Sequence, residues 1–413
     1  MECPSLEHAR TALKEACIAT RSGHIHAVTF QPTPNQENED RIVIQEWDDI
    51  AGPPWLFLAV LDGHNGKAAA EYTAQHLPGQ IRAGLRSKVS RAGPQALDAE
   101  YVRKHLVHRI KQFDETLGAA VKELCPDPSA LTDAEAQLLI SGPNAAVFQR
   151  AYSGTTITAA LIDGDQKNLW IVGLGDSSAV LSTVSLDGHR SSQRLITLHN
   201  GRTPTEYARV KLRHPTSEEN IMKDNRVLGG LSLTRAIGDF HFKFSSDYAK
   251  QVFHRLPSSG SPASTYGTIN YNHTHPYVTA RGEARHIDLG TLRDQKPTLL
   301  LYTDGVDNII AGHFLFRKEN PCKENPATVM GALLGDSVDH EFMRRVFDHQ
   351  VEPGWTGENG NKAVELLGNI LGGTNTSRLS QALDPEYRDL TRPEDDPESL
   401  YVDDTSIIVC PLV

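Results

Sequence analysis

The pattern of apolar and polar positions along the chain predicts strands grouped between helices. Short apolar stretches of strand length lie at 24–30, 41–47, 55–61, 155–162, 169–174, 179–184, 194–198, 298–303 and 406–410. Apolar residues at helical spacing predict helices at 67–85, with a kink or break at Pro78, and at 95–124, 204–213, 325–350 and 361–372. Because groups of strands alternate with pairs of helices, we predict an α+β fold. It should be a four-layer α-β-β-α sandwich of two mostly antiparallel sheets flanked by helices.

One domain is predicted to hold most of the chain. Residues 1–23 are interpreted as an N-terminal extension and residues 24–412 as a single domain. Residues 127–150 are predicted to form a surface insertion with one short helix. Residues 244–285 are rich in Ser, Gly, Pro, Tyr and His without clear periodicity, which predicts a long flap-like loop.

The strand predicted at 55–61 ends in an unusual way. Its unbroken apolar run is typical of a strand buried on both faces, and it stops at Asp62-Gly63-His64. An ionised Asp in that position is costly unless a cation meets it. The strand at 298–303 leads into Asp304-Gly305 in the same way.

Asp-Gly is also a common turn dipeptide, so a turn alone is the alternative. Asp163-Gly164 and Asp187-Gly188 lie between strand-like runs and are interpreted as ordinary hairpin turns. At Asp62 the following His-Asn-Gly and the predicted helix favour a functional site. For Asp304 the two interpretations stay open until other carboxylates are considered.

Composition excludes several classes of protein. With 413 residues, 39% hydrophobic and 23% charged, the chain has a globular composition, and no apolar run is long enough to span a membrane. The net charge of -11 argues against a nucleic-acid partner. The five cysteines form no C-x-x-C pair, which excludes a zinc ribbon. The first residues include Glu2, Glu7 and Glu15, unlike a mitochondrial presequence, so we expect either a cytosolic protein or a presequence that is missing or unusual.

Carboxylates recur at the ends of the predicted elements. They are Glu39, Asp40, Asp62, Asp304, Asp403 and Asp404. Hard divalent cations prefer oxygen ligands, and Gly63 can add a backbone carbonyl because it has no side chain. Two ions about 3.5–4 Å apart can share an Asp and a water. Each carboxylate taken alone is better explained as solvated surface, so the prediction of a metal site depends on their convergence.

The order of these motifs carries a resemblance to a known family. The chain shows Glu39-Asp40, Asp62-Gly63-His64-Asn65-Gly66, Ser153-Gly154-Thr155-Thr156, Gly175-Asp176-Ser177, Arg235-Ala236-Ile237-Gly238-Asp239, Asp304-Gly305 and Asp403-Asp404-Thr405. Over residues 24–412 it resembles the PPM-type (type 2C) metal-dependent serine/threonine protein phosphatases. Asn35, His199-Asn200 and the stretch 273–280 resemble the pyruvate dehydrogenase phosphatase branch in particular.

The resemblance implies roles for several residues. Asp62 would bridge two Mg²⁺ or Mn²⁺ ions, and Asp304 and Asp403 would bind one of them. Glu39, directly or through water, and the Gly63 carbonyl would serve the other. Asp40 would orient the attacking water, which bridges the two ions, and His64 would be the general acid that protonates the departing Ser or Thr oxygen.

The chain departs from the family pattern at several positions. Asn35 replaces the arginine that holds the substrate phosphate in most members, so Asn35 would stand beside that phosphate. Asp176 could hold a weaker third metal or support the other ligands. The family's second Asp for that metal is Asn308 here, and Asp307 is a doubtful substitute. Ser178 replaces an arginine.

The function expected from these residues is hydrolysis of phosphoserine or phosphothreonine in proteins. A catalytically weak family member that acts as a regulatory or scaffold protein is the alternative, and a nuclease is disfavoured by the acidic balance. Resemblance makes the pyruvate dehydrogenase E1 subunit a candidate substrate and the mitochondrial matrix a candidate location. Arg235 and Asp239 are expected to bond to each other or to the backbone.

Overall fold

The computed structural model describes residues 5–31, 37–256, 262–311, 322–347, 349–357, 360–383 and 402–412. The strands are β1 Cys17–Ser22, β2 Ile25–Phe30, β3 Arg41–Trp47, β4 Trp55–Leu61, β5 Gly63–His64, β6 Gly154–Thr155, β7 Ile157–Ile162, β8 Asn168–Leu174, β9 Ser178–Val184, β10 Arg190–Arg194, β11 Met222–Lys223, β12 Arg226–Val227, β13 Ile237–Gly238, β14 Glu283–Asp288, β15 Thr298–Tyr302 and β16 Thr405–Pro411. The helices are α1 Leu6–Ala16, α2 Ala68–Ala92, α3 Ala99–Leu124, α4 Asp133–Ser141, α5 Ala145–Tyr152, α6 Pro204–Lys211, α7 Phe240–Lys243, α8 Ser246–Gln251, α9 Pro262–Asn270, α10 Asp304–Ala311, α11 Pro326–Leu333, α12 His340–Val346, α13 Lys362–Leu371 and α14 Thr376–Leu383.

Two large sheets form the centre of the fold. One has six strands in the order β1-β2-β16-β15-β9-β10, and the other has five in the order β14-β8-β7-β4-β3. Every adjacent pair in both sheets is antiparallel. The predicted α+β fold of antiparallel sheets flanked by helices is confirmed.

Strand β4 shows why the sequence folds into layers. Leu58 and Val60 belong to the apolar core between the two sheets. Phe57 and Leu61, which point to the opposite face, belong to a second core shared with α2 and α3. The unbroken apolar run therefore reflects burial on both faces, as predicted.

A third core covers the outer face of the six-stranded sheet. It contains Val28, Leu300 and Ile407 from the strands together with apolar residues of α10, α11 and α13. Helix α1 and strand β1, within the stretch predicted to be an extension, belong to the same side. Ala9 and Leu13 are buried there, and β1 is the edge strand paired with β2.

Three predictions about individual elements differ from the structure. Helix α2 runs from Ala68 to Ala92 with Pro78 inside it, so of the predicted kink or break, the break is wrong. The strand predicted at 194–198 instead occupies Arg190–Arg194, a polar edge strand that apolar patterning does not reveal. Residues 127–150 contain two α-helices, not one.

The stretch predicted as a flap-like loop is also more structured than expected. Residues 244–285 include α8, α9 and the start of β14. The buried residues of α9 are Ser264, Gly267 and Thr268, so the helix packs through small and polar groups that leave no apolar periodicity. In the part of the chain that the structure describes, no helix is long and apolar enough to cross a membrane.

Candidate metal centre

Three carboxylates meet where central strands of the two sheets end. Asp62 follows β4, Asp304 follows β15, and Asp176 lies between β8 and β9. One carboxylate oxygen from each lies within 4.8 Å of the others. Residues far apart in sequence therefore supply one cluster of acidic oxygens.

Most of the other predicted site residues border the same space. Glu39, Gly63, His64 and Asp403 line a cavity of about 310 Å³ together with the three clustered carboxylates. Asn35 falls outside the described residues.

Asp40 lies behind this cavity and is buried. Its Oδ2 accepts a hydrogen bond of 2.8 Å from the Thr303 hydroxyl, and its Oδ1 has no hydrogen-bond partner among the residues described. An unused, buried carboxylate oxygen next to the cluster is suited to a water or a cation.

The electrostatics of the cluster favour a bound cation. Burial, and then the charges of neighbouring carboxylates, raise the pKa of Asp62, Asp304 and Asp40 well above the ordinary value. Within the described chain, neither Asp62 nor Asp304 forms an ion pair with a lysine or arginine. A set of oxygen donors without sulfur fits a hard divalent ion such as Mg²⁺ or Mn²⁺.

The loop before β3 is held against Gly63. A Cβ atom at Gly63 would lie 2.5 Å from the backbone oxygen of Glu39, so only glycine fits. The Glu39 N–H donates to Oδ2 of Asp404 at 2.6 Å, and Glu39 Oε1 accepts from the Gly66 N–H at 2.9 Å. The Asp404 carboxylate thus positions Glu39 by binding the backbone N–H of Glu39.

His64 contacts Asp239, which the sequence analysis did not place in the site. The His64 Nε2 lies 2.9 Å from both carboxylate oxygens of Asp239. Strands β5, β6 and β13 form a small sheet that brings the two segments together. A Cβ atom at Gly154 would lie 2.1 Å from the His64 Nε2, so the contact requires glycine there.

Burial and neighbouring charges shift the pKa values of His64 and Asp239 in opposite directions. Burial lowers the pKa of His64, but the charges of Asp239 and Glu39 outweigh burial, so the pKa is raised. Burial raises the pKa of Asp239, but His64 outweighs it and the net direction is downward. His64 therefore favours the protonated form and Asp239 the ionised form.

Arg235 and Asp239 were expected to bond to each other or to the backbone, and for Arg235 the structure shows the backbone alternative together with a carboxylate partner. Arg235 donates to Glu206 at 2.6 Å and to the Arg281 carbonyl at 2.7 Å. Only the motif from Arg235 to Asp239 signalled that Asp239 belongs to the site, because nothing in local spacing pairs it with His64.

The two remaining predicted acids differ from each other. Oδ2 of Asp176 accepts a hydrogen bond of 3.2 Å from Asn200. Oδ2 of Asp307 instead accepts from Arg194 at 2.6 Å. Burial raises the pKa of Asp307 to about 6 although Arg194 lowers it. A protein cation thus already contacts Asp307, whereas Asp176 lies in the acidic cluster.

A fold of stacked antiparallel sheets with an acidic centre at the strand ends defines the class of protein, and comparison supplies the family. The family model described as protein phosphatase 2C matches residues 34–310. The chain belongs to this family, which confirms the resemblance found in the sequence.

Individual relatives match parts of the chain at moderate sequence identity. The mitochondrial pyruvate dehydrogenase (acetyl-transferring) phosphatase 1 of Homo sapiens is 33% identical over 208 residues, 50% of this chain and 35% of the relative. The Rattus norvegicus protein of the same name is 29% identical over 325 residues, 75% of this chain and 54% of the relative. The chain therefore spans between a third and just over half of these relatives.

A solved structure supports the fold. The crystal structure of serine-threonine phosphatase 2C from Toxoplasma gondii aligns with a TM-score of 0.51 and 13% identity, covering 96% of this chain and 99% of that one. At this identity the likeness concerns the fold alone.

Proposed function

We propose that the chain is a metal-dependent protein serine/threonine phosphatase that hydrolyses phosphoserine and phosphothreonine by direct attack of water. The observation that carries the proposal is the approach of Asp62, Asp176 and Asp304 oxygens to within 4.8 Å in a chain of this family. We propose two Mg²⁺ or Mn²⁺ ions as cofactors. When bound, such ions lower the pKa of water and neutralise charge on the phosphoryl group.

Each acidic residue has a proposed part in holding the ions. Asp62, Asp304 and Asp403 would hold one ion, and Asp62, Glu39 and the Gly63 carbonyl would hold the other. The buried Oδ1 of Asp40 would accept a hydrogen bond from the attacking water and orient it.

His64 is the proposed general acid. An alkoxide leaves poorly unless it is protonated, and the raised pKa of His64 keeps a proton available near neutral pH. Because Asp239 occupies Nε2, the proton given to the leaving Ser or Thr oxygen is the one on Nδ1. Asp239 holds the ring in this orientation.

The substrate and the domain assignment are narrower proposals. The names of the human and rat relatives favour the phosphorylated E1 subunit of pyruvate dehydrogenase as substrate and the mitochondrial matrix as location. Asn35 would stand beside the substrate phosphate. Residues 24–412 are proposed to form one catalytic domain.

A regulatory or scaffold protein is the second candidate, and a specific observation favours it. Asp307 is held by Arg194 and Asn308 is not an acid, so a third metal would have Asp176 without the second acid that the family pairs with it. The ligands proposed for the two main ions do not depend on either residue, and we therefore favour the enzyme.

Phosphate release from a phosphopeptide, with Mg²⁺, with Mn²⁺ and with a chelator, tests the choice. The proposal expects release that requires the metal. Phosphopeptide binding without any release in either metal would support the scaffold instead. Parallel assays on phosphorylated pyruvate dehydrogenase E1 and an unrelated phosphoprotein test the substrate, and microscopy of the tagged full-length chain tests the location.

A further inference from the structure

A second cavity, apart from the metal centre, is lined by arginines. Its volume is about 270 Å³, and the residues around it include Arg209, Arg213, Arg235, Thr279, Arg281 and Glu283. A group of guanidinium groups is unexpected in a chain with a net charge of -11. We call this cavity the arginine pocket.

Two of the arginines are fixed by one buried carboxylate. Glu206 accepts from Arg209 at 2.9 and 2.7 Å and from Arg235 at 3.0 and 2.6 Å. One negative charge thus faces two positive charges. Both guanidinium planes are held in place before any ligand arrives, which lowers the entropy lost on binding.

The other two arginines have no compensating acid. The side chains of Arg213 and Arg281 are exposed, and neither has a hydrogen bond or ion pair with the described residues. Glu283, the acid that borders the pocket, accepts from the Thr197 N–H at 3.3 Å and lies 3.6 Å from His199. The pocket therefore keeps an excess of positive charge.

We propose that the arginine pocket binds a phosphoryl group carried by a second phosphorylated side chain of the protein substrate. The proposal rests on the proposed phosphatase function. Guanidinium groups match phosphate oxygens with paired hydrogen bonds, and several arginines around one cavity suit a dianion better than a single carboxylate. The pocket has no acidic cluster, so the phosphoryl group bound there is held and not hydrolysed.

The pocket and the metal centre share a wall. Ser232 and Leu233 line the metal cavity, and Arg235 lines the arginine pocket. Between them, the Thr234 hydroxyl donates to Glu206 at 2.6 Å, and the Thr234 carbonyl accepts from Arg209 at 3.2 Å. The segment 232–235 thus contributes to the lining of both cavities, and the proposal places the two phosphoryl groups of one peptide on either side of it.

Direct binding of labelled peptides tests the proposal without relying on catalysis. The wild-type protein is loaded with Mn²⁺, and each phosphate of the peptides is replaced by its non-hydrolysable phosphonate, so the metal centre can bind a peptide without cleaving it. The probes, called singly and doubly phosphorylated below, carry one such group or two groups placed two to four residues apart, and both are followed by fluorescence anisotropy. The doubly phosphorylated peptide is expected to bind about tenfold more tightly.

The variant Arg213→Gln with Arg281→Gln removes the two uncompensated charges. We expect it to abolish the advantage of the second phosphate. The matched control is Arg285→Gln, which removes an exposed arginine of β14 outside the pocket and should keep the advantage. The proposal would be overturned if the double variant kept the wild-type preference for the doubly phosphorylated peptide. It would also be overturned if the control Arg285→Gln lost that preference to the same extent as the double variant.

Inorganic phosphate distinguishes the source of the anion. Displacement of the doubly phosphorylated peptide by phosphate only at concentrations far above that of the peptide supports a phosphorylated side chain as ligand. Displacement at concentrations similar to those of the peptide would overturn that source and indicate free phosphate. Because the readout is the binding of peptides that cannot be hydrolysed, an inactive enzyme would leave this test interpretable.

Discussion

Two buried clusters of charge lie on either side of the segment 232–235, and they are built in opposite ways. Glu206 is surrounded by Arg209, Arg235 and the Thr234 hydroxyl. In the cluster of Asp62, Asp176 and Asp304, one oxygen from each acid lies within 4.8 Å of the others. The first cluster contains direct ion pairs with two arginines, and among the described residues the second forms no ion pair with a lysine or arginine.

The pKa values show the consequence. Burial raises the pKa of Glu206, but Arg235 and Arg209 outweigh it and the net pKa is far below the ordinary value. Burial also raises the pKa of Asp62, and the charges of Asp304 and Asp40 raise it further. The comparison teaches that burial alone does not mark a functional acid. Several acids close together without an ion pair to lysine or arginine are the better indicator.

The largest effect is expected when Asp62 is removed from the acidic cluster. Asp62→Ala is expected to reduce phosphate release about a thousandfold, because bound metals supply several kcal/mol of transition-state stabilisation. In chelator the same variant should unfold at a higher temperature than wild type, since a repelled buried charge is gone. Asp187→Ala, at an exposed Asp-Gly turn, is the control and should leave both measurements unchanged. A fully active Asp62→Ala would contradict the role of Asp62.

Removing the acid of the compensated cluster should act on stability. Glu206→Gln leaves Arg209 and Arg235 without their partner and is expected to lower the free energy of unfolding by about 3 kcal/mol in urea denaturation. Glu100→Gln removes an acid paired with Arg103 in the same i,i+3 arrangement on an exposed helix face, and its effect should be much smaller because solvent screens that ion pair. Equal effects of the two substitutions would show that the buried cluster contributes nothing special.

The pH dependence of stability provides a third test. Burial raises the pKa of Asp404 to about 6, so the folded state binds its proton more tightly than the unfolded state. That contribution is present below pH 4 and is lost as the pH rises through about 6. Relative to Asp404→Asn, metal-free wild type should lose about 2 kcal/mol of unfolding free energy between pH 4 and pH 7. If the unfolding free energy of wild type instead increased relative to that of Asp404→Asn as the pH rises, the raised pKa of Asp404 would be contradicted.

The smallest effect is expected when Asp239, the partner of His64, is replaced. Asp239→Asn removes the charge that raises the pKa of His64, so the protonated form should be lost at a lower pH. We expect kcat to fall about tenfold at pH 7 and the decline of kcat with rising pH to begin earlier than in wild type. A fall in kcat with an unchanged pH profile would mean that Asp239 only supports the local structure.

Apolar patterning predicted the central parts of the fold well. The strands at 41–47 and 55–61 were predicted with the bounds observed, because their side chains alternate between two apolar cores. The polar edge strand β10 and helix α9 were missed, since one is an exposed edge and the other packs through small residues. The pattern that predicts structure is the pattern of apolar burial, and these elements lack it.

The site was predictable to the extent that its residues stand in recognisable motifs. Asp62 and Asp304 come together as the carboxylates at the strand ends predicted, and Asp403 lines the same cavity, whereas Asp176 was signalled only by the family motifs. The contact between His64 and Asp239 was missed because it depends on Gly154, a residue whose absent side chain leaves room for the pair. Such a close approach can be recognised only in three dimensions.

Binding of Mn²⁺ to the purified, metal-free chain tests the central claim most directly. The account predicts two Mn²⁺ ions per chain by titration calorimetry, and loss of at least one of them in Asp62→Ala while Asp187→Ala keeps both. A chain that binds no Mn²⁺, or an Asp62→Ala variant that binds as many ions as wild type, would contradict the account.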